Sequence, residues 1–171
     1  MMKRTLVIYY SFSNGNTKKI ASELQKALDA DIAEIETVVP YPPYGGFNSA
    51  VVSQGQQEVE DGYCPEIKPL GYNINDYDVI AIGTPTWWYT MAPAMLTFLK
   101  SENWKDKTVI PFMTHGGWPG HVIKDIKTYC KGAEFKTSLE VQFDSQGGDY
   151  MLTKQSEITK WVGRIAKEIN E

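Results

Sequence analysis

Three stretches of this 171-residue chain are apolar without alternation: Leu6-Val7-Ile8-Tyr9-Tyr10, Val79-Ile80-Ala81-Ile82 and Val109-Ile110-Pro111-Phe112-Met113. Short runs rich in β-branched and aromatic residues are strands, and a strand apolar on both sides must be covered on both sides. A sheet built on three of them is therefore a layer between helices. Helical spacing lies between the runs. Ile20, Ala21, Leu24, Ala27 and Leu28 make one stripe, as do Val122, Ile123, Ile126, Tyr129 and Cys130. Ile158, Trp161, Val162, Ile165 and Ile169 make a third. A shorter helix after Pro93 uses Met95, Leu96 and Leu99, and both Pro93 and Pro119 stand where helices tolerate a proline start.

Two further segments alternate, as strands near a sheet edge do: Ser138 to Phe143 cleanly, Ile32 to Glu36 more weakly. The succession predicts an α/β fold, one domain over residues 1–171. Its form is a three-layer sandwich around a five-stranded parallel sheet in the order 2-1-3-4-5. Pro111 removes a ladder donor from an interior strand, so a local irregularity is expected there. The connection over about residues 38–75 is too long for a bare loop and predicts one helix near Ala50 to Glu60 between two ordered loops. Its Tyr41, Tyr44 and Phe47, with Tyr72, supply apolar area either for the chain's own sheet or for a second copy, so monomer and homodimer both stay open.

Composition narrows the function classes. The chain is 42% hydrophobic, which excludes disorder over most of its length. Lys plus Arg is 17 and Asp plus Glu is 21, a net charge of −4 without a basic run, which argues against nucleic acid as a partner. Val79 to Leu99 carries no charge, but Gly83, Pro85, Pro93 and four threonines break it, so no membrane span is expected. The basic start is followed by only five apolar residues, too few for a secretory signal. Cys64 and Cys130 form no CxxC motif and read as free thiols of a cytoplasmic protein. Two histidines and two scattered cysteines make no metal cluster.

In a sheet of this order, ligands bind beyond the carboxyl ends of the strands at the topological switch. Three unusual loops fall there. Ser11-Phe12-Ser13-Asn14-Gly15-Asn16-Thr17 offers hydroxyls, amides and a glycine at a helix start, which suits a phosphate held by neutral donors or, alternatively, a plain helix cap. Neither GxxxxGK[ST] nor GxGxxG is present. Thr84 to Met91 contains Trp87, Trp88 and Tyr89, which wall a flat ligand or else pack as core or interface. Thr114-His115-Gly116-Gly117-Trp118-Pro119-Gly120-His121 permits close backbone approach at its glycine pair, or is a flexible turn. Gln146-Gly147-Gly148-Asp149 is a turn that could also border the site.

At these residues the sequence resembles the flavodoxin family, and within it the bacterial flavoproteins with a TPTWW-type loop. The resemblance rests on YYSFSNGNTKKIA, on GTPTWW and on PFMTHGG, and runs from about Lys3 to Glu171. It implies FMN as cofactor. Ser11, Ser13, Asn14, Gly15, Asn16 and Thr17 would hold the phosphate. Pro85, Thr86, Trp87, Trp88 and Tyr89 would contact the ring, with Trp87 or Trp88 against its face. Thr114, His115, Gly116 and Gly117 would meet its pyrimidine side. Three departures stand out: one extra residue in the phosphate loop near Asn14, the bulk of Trp118-Pro119 after the glycine pair, and a modest charge that gives no strongly acidic docking face. The expected function is electron transfer between redox partners, either proteins or a small acceptor. The alternative is an NAD(P)H-dependent FMN oxidoreductase that reduces quinones or similar small acceptors. No side chain is needed as a catalytic acid or base. A neutral aromatic wall and a nearby phosphate disfavour added negative charge on the ring, which lowers the potential of the second electron.

Overall fold

All five residues of β1 (Thr5–Tyr9) are buried, and they divide between two cores. Leu6 and Ile8 face one, Val7 and Tyr9 the other, as the period of two along a strand requires. The structure is a computed structural model and describes residues 3–171. After β1 come α1 (Asn16–Leu28), β2 (Asp31–Glu34) and α2 (Ala50–Asp61). Next are β3 (Val79–Trp87), β4 (Thr90–Met91), α3 (Pro93–Ser101), β5 (Thr108–His115) and α4 (Val122–Tyr129). The chain closes with β6 (Glu134–Phe135), β7 (Leu139–Gln142) and α5 (Gln155–Glu168). Ile20, Ala21 and Leu24 of α1 pack with Ile158, Trp161 and Ile165 of α5 over one sheet face. Met95, Phe98 and Leu99 of α3 cover the other face with Val122 and Ile126 of α4.

The sheet runs β2-β1-β3-β5-β6, with parallel pairing from Leu6 to Ile80 and from Ile80 to Val109. It contains seven strands, not the expected five. The difference has two causes. First, β4 is a short antiparallel partner that folds back on the end of β3. Second, the fifth position is split: β6 pairs with Thr108 and Val109, and β7 pairs with Phe112 to His115. Between Val109↔Phe135 and Phe112↔Leu139, β5 passes Ile110 and Pro111 while its neighbour passes Lys136, Thr137 and Ser138. The neighbour is one residue longer, and the break falls beside Pro111, which has no N–H to offer the ladder.

One other expectation shifts. Pro93 is the first residue of α3, but Pro119 does not open α4. Gly120 follows it in left-handed backbone (φ 57°), and the helix begins only at Val122. The connection holds its helix, α2, and Tyr41 packs inward against Trp87 with ring centroids 5.0 Å apart. Val79 to Leu99 becomes β3, β4 and most of α3, and no helix among the described residues is long and apolar enough to cross a membrane.

Candidate functional site

Beyond the carboxyl ends of β1, β3 and β5 lies a cavity of about 440 Å³. Its polar end is the turn into α1. Helix α1 starts at Asn16, so the first N–H groups of the helix have no preceding helical carbonyl and face outward with the positive end of the helix dipole. Ser13, Asn16 and Thr17 line this end.

The other phosphate-loop residues are occupied differently. Ser11 Oγ accepts the Lys18 N–H at 3.4 Å. Gly15 caps the helix with φ 71°. The Asn14 side chain donates to the Gly147 carbonyl, and Asn16 Nδ2 donates to the Gly148 carbonyl at 3.0 Å. Both asparagine amides therefore weld the loop to residues 147–148. Asn14 does not line the cavity, and the donors left at this end are hydroxyl and backbone groups. The Thr17 hydroxyl is buried and meets Thr114 Oγ1 at 2.8 Å, which ties the start of α1 to the end of β5.

The wide end is aromatic. Pro85, Thr86, Trp87, Trp88 and Tyr89 line it from β3 and its turn, and Thr114, His115 and Gly116 from β5. Trp87 is fixed edge-to-face by Tyr10, Phe12 and Tyr41, at centroid distances of 6.1, 5.5 and 5.0 Å. Trp88 and Tyr89 remain 40% and 53% exposed and occupy left-handed backbone, φ 48° and 68°. For non-glycine residues this conformation costs about 1–3 kcal/mol each. His115 Nδ1 accepts the Gly117 N–H at 3.0 Å, which places the ring proton on Nε2 and draws Gly117 out of the cavity lining. Burial holds the His115 pKa below its ordinary value, and the charge of Glu140 opposes that shift.

The structure adds walls beyond the residues that the resemblance assigned, and Gly147 and Gly148 of the turn expected to border the site are among them. Tyr44, Phe47, Val51, Val52 and Gly55 come from the long connection and α2, and Phe12 and Trp118 from the neighbouring loops. The aromatic content of the connection is the signal for Tyr44 and Phe47, but it points to the chain's own sheet or a second copy, not to the site. Phe143, Asp144, Ser145, Gly147 and Gly148 complete the cavity from the loop after β7. Asp144 organises that loop. Its Oδ1 accepts the N–H groups of Gln146 at 3.1 Å and Gly148 at 2.9 Å, and its Oδ2 accepts that of Tyr150 at 3.1 Å. The Gly148 bond leads the set that holds the Asp144 carboxyl below the usual carboxylate range. Those N–H groups hold Asp144 as the anion, and it is the one acidic side chain in a lining otherwise made of aromatic, aliphatic, hydroxyl, amide and glycine positions and His115.

A helix N-terminus at one end, edge-to-face rings at the other and a position at the carboxyl ends of parallel strands define a doubly wound α/β protein with a site for an anionic, planar ligand. A family model described as flavodoxin matches residues 4–165, and the chain belongs to the flavodoxin family. No curated protein matches the sequence. A protein from Bacteroides eggerthii, provisionally classed as a flavoprotein, is 28% identical, with 96% of this chain and 98% of that chain covered and a TM-score of 0.74. A similarly classed protein from Bacteroides uniformis shares the fold at 24% identity, 95% and 99% coverage and a TM-score of 0.76. So does a flavoprotein from Lactobacillus acidophilus solved in complex with FMN, at 24% identity, 93% and 98% coverage and a TM-score of 0.64.

Proposed function

We propose that this chain binds FMN in the cavity and carries electrons between redox partners. The observation that carries the reading is the joining of two unlike ends by one buried contact. The Thr17–Thr114 bond sets the anion-attracting start of α1 against the aromatic chamber at the end of β5. The donor set fits the group. Ser13 and the N–H groups at the start of α1 would take the phosphate. Pro85 to Tyr89 and Thr114 to Gly116 would border the ring. When bound, FMN supplies one- and two-electron chemistry, and the chain's residues orient it and limit water at its ring. The Lactobacillus acidophilus flavoprotein of the same fold was solved with FMN, which supports the assignment. Two unbridged thiols, one of them buried, support a cytoplasmic setting. Tyr41 is used within its own chain, while Phe47 and Tyr72 of the same apolar group stay exposed, so monomer and homodimer both stay open.

A second reading, an NAD(P)H-dependent reductase of quinones or similar small acceptors, is favoured by the rim. Phe47, Trp88, Tyr89 and Trp118 are exposed there and offer stacking surface to a small planar molecule. The deciding experiment mixes FMN-loaded protein with NADPH without oxygen and follows the visible flavin band. Fast bleaching supports the reductase. A band that persists for minutes supports the carrier. Failure to retain FMN at all overturns both.

A further inference from the structure

Trp88 and Tyr89 hold left-handed backbone although neither is glycine, and such a conformation persists only where neighbouring structure over-determines it. The neighbours lie outside the cavity, on the approach to α4. Gly120 comes so close that a Cβ there would stand 2.1 Å from the Tyr89 carbonyl oxygen. The His121 N–H donates to that oxygen at 2.8 Å. One residue on, the Thr90 hydroxyl donates to Asp125 Oδ2 at 2.5 Å, and His121 Nδ1 meets the same carboxylate oxygen. Asp125 thus joins the hairpin, through Thr90, to the loop, through His121. On the opposite side, Trp88 Nε1 donates to the Val52 carbonyl of α2 at 3.2 Å. The turn is held between two helices.

Thr90, His121 and Asp125 do not line the main cavity. They line a second cleft of about 330 Å³ on the far side of Trp88. They touch the wall of the cofactor site from behind.

We propose that Asp125, with Thr90 and His121, is a positioning device that fixes the Trp88–Tyr89 turn as the ring-side wall of the cofactor cavity. Its effect on cofactor binding rests on the FMN reading; its effect on the turn does not. The geometry gives each member a separate job. The His121 backbone N–H fixes Tyr89 whatever the side chain, and the Asp125 carboxylate sets the angle at which Thr90 leaves the turn. A wall set this way is rigid before the ligand arrives, which is the condition for tight and oriented binding.

The test labels the tryptophans with fluorine and reads Trp88 by NMR, its resonance assigned by its loss in Trp88→Phe. Thr90→Val keeps the shape and removes the hydroxyl, Asp125→Ala removes the shared acceptor, and Thr90→Ser restores the donor. Expected are a shifted or broadened Trp88 resonance in Thr90→Val and Asp125→Ala, and a normal one in Thr90→Ser. The buried Trp104 and Trp161 should report an intact fold in all three. FMN and riboflavin should both bind those first two variants more weakly, by one shared factor of about fivefold or more, because the ring wall and not the phosphate end has loosened. If Asp125→Ala does not fold, Thr90→Val alone decides. An unmoved Trp88 resonance overturns the proposal. So does a moved resonance with unchanged affinities for both ligands. A wild type that binds no FMN overturns the FMN reading only, and the fluorine resonances then judge the device by themselves.

Discussion

Gly55, in the middle of α2, faces the indole of Trp87 so closely that a Cβ there would stand 3.0 Å from Cε3 and 3.3 Å from Cζ3. The absence of a side chain here lets the long connection lie against the indole without displacing it. Gly55→Val should therefore push α2 off the indole. Overpacking of this kind costs about 1–3 kcal/mol, more than the gain from replacing a helical glycine returns. Urea unfolding should show that loss, and FMN titration should show weaker binding by about tenfold, which corresponds to 1.4 kcal/mol. Unchanged affinity in a destabilised variant would mean that α2 covers the site without shaping it.

The Thr17–Thr114 contact is open to a double-mutant cycle. Either hydroxyl can be the donor, and both residues are buried. Thr17→Val or Thr114→Val leaves the partner unsatisfied, at a cost of about 1–3 kcal/mol. Replacing both removes the unsatisfied group, so the double variant should be more stable than the sum of the singles implies. Additive losses in urea unfolding would show that the two hydroxyls do not depend on each other.

The main layers of this fold are legible because β1, β3 and β5 are buried on both faces, and unalternating apolar runs record that directly. The split of the fifth strand is not legible, because it depends on how the chain after Phe135 accommodates Pro111, a contact between distant segments. The site divides the same way. Ser13, Trp87 and His115 lie in local motifs and can be read from the chain. Asn14 and Asn16 carry the expected residue types, yet their amides turn to the carbonyls of Gly147 and Gly148, more than a hundred residues away. Asp144 leaves no local mark either. Its three N–H donors become visible only once the loop after β7 is closed.

Asp144 should control how well that loop holds its side of the cavity. Asp144→Ala removes the acceptor for three backbone N–H groups at once, and Asp144→Asn keeps one acceptor oxygen. FMN affinity and resistance to proteolysis between residues 145 and 150 should both fall in the order wild type, Asn, Ala. Equal behaviour of the three proteins in limited digestion would show that the glycine-rich loop closes without the carboxylate.

Glu168 ties the end of α5 to the segment before β7. It accepts both the hydroxyl and the N–H of Thr137, at 2.6 and 3.0 Å, and pairs with Arg164. These bonds, the Thr137 hydroxyl first, hold its carboxyl at about 2, below the ordinary carboxylate range. A depressed folded value means stability that is present above the unfolded pKa and lost as pH falls toward the folded one. Glu168→Gln should therefore be less stable than wild type at pH 7, by about 1 kcal/mol after allowance for solvent screening. The gap should close between about pH 4.5 and pH 2. A gap independent of pH in thermal unfolding would assign the loss to shape and not to charge.

His115 gives the site its own pH dependence. Its folded pKa is lowered, so the neutral ring is favoured and its contribution is complete above the unfolded value of about 6.5 and lost as pH falls through the folded one. Protonation puts a hydrogen on Nδ1, which can then no longer accept the Gly117 N–H, and the glycine pair beside the cavity loosens. FMN affinity should be flat above neutrality and fall several-fold toward pH 5, a change of about 1 kcal/mol. The FMN phosphate also titrates, near pH 6, so the wild-type profile alone does not decide. His115→Asn supplies an acceptor that does not titrate, and the phosphate is common to both proteins. The difference between their affinity profiles isolates the imidazole. Parallel profiles across that range would remove His115 from the account and leave the phosphate as the cause.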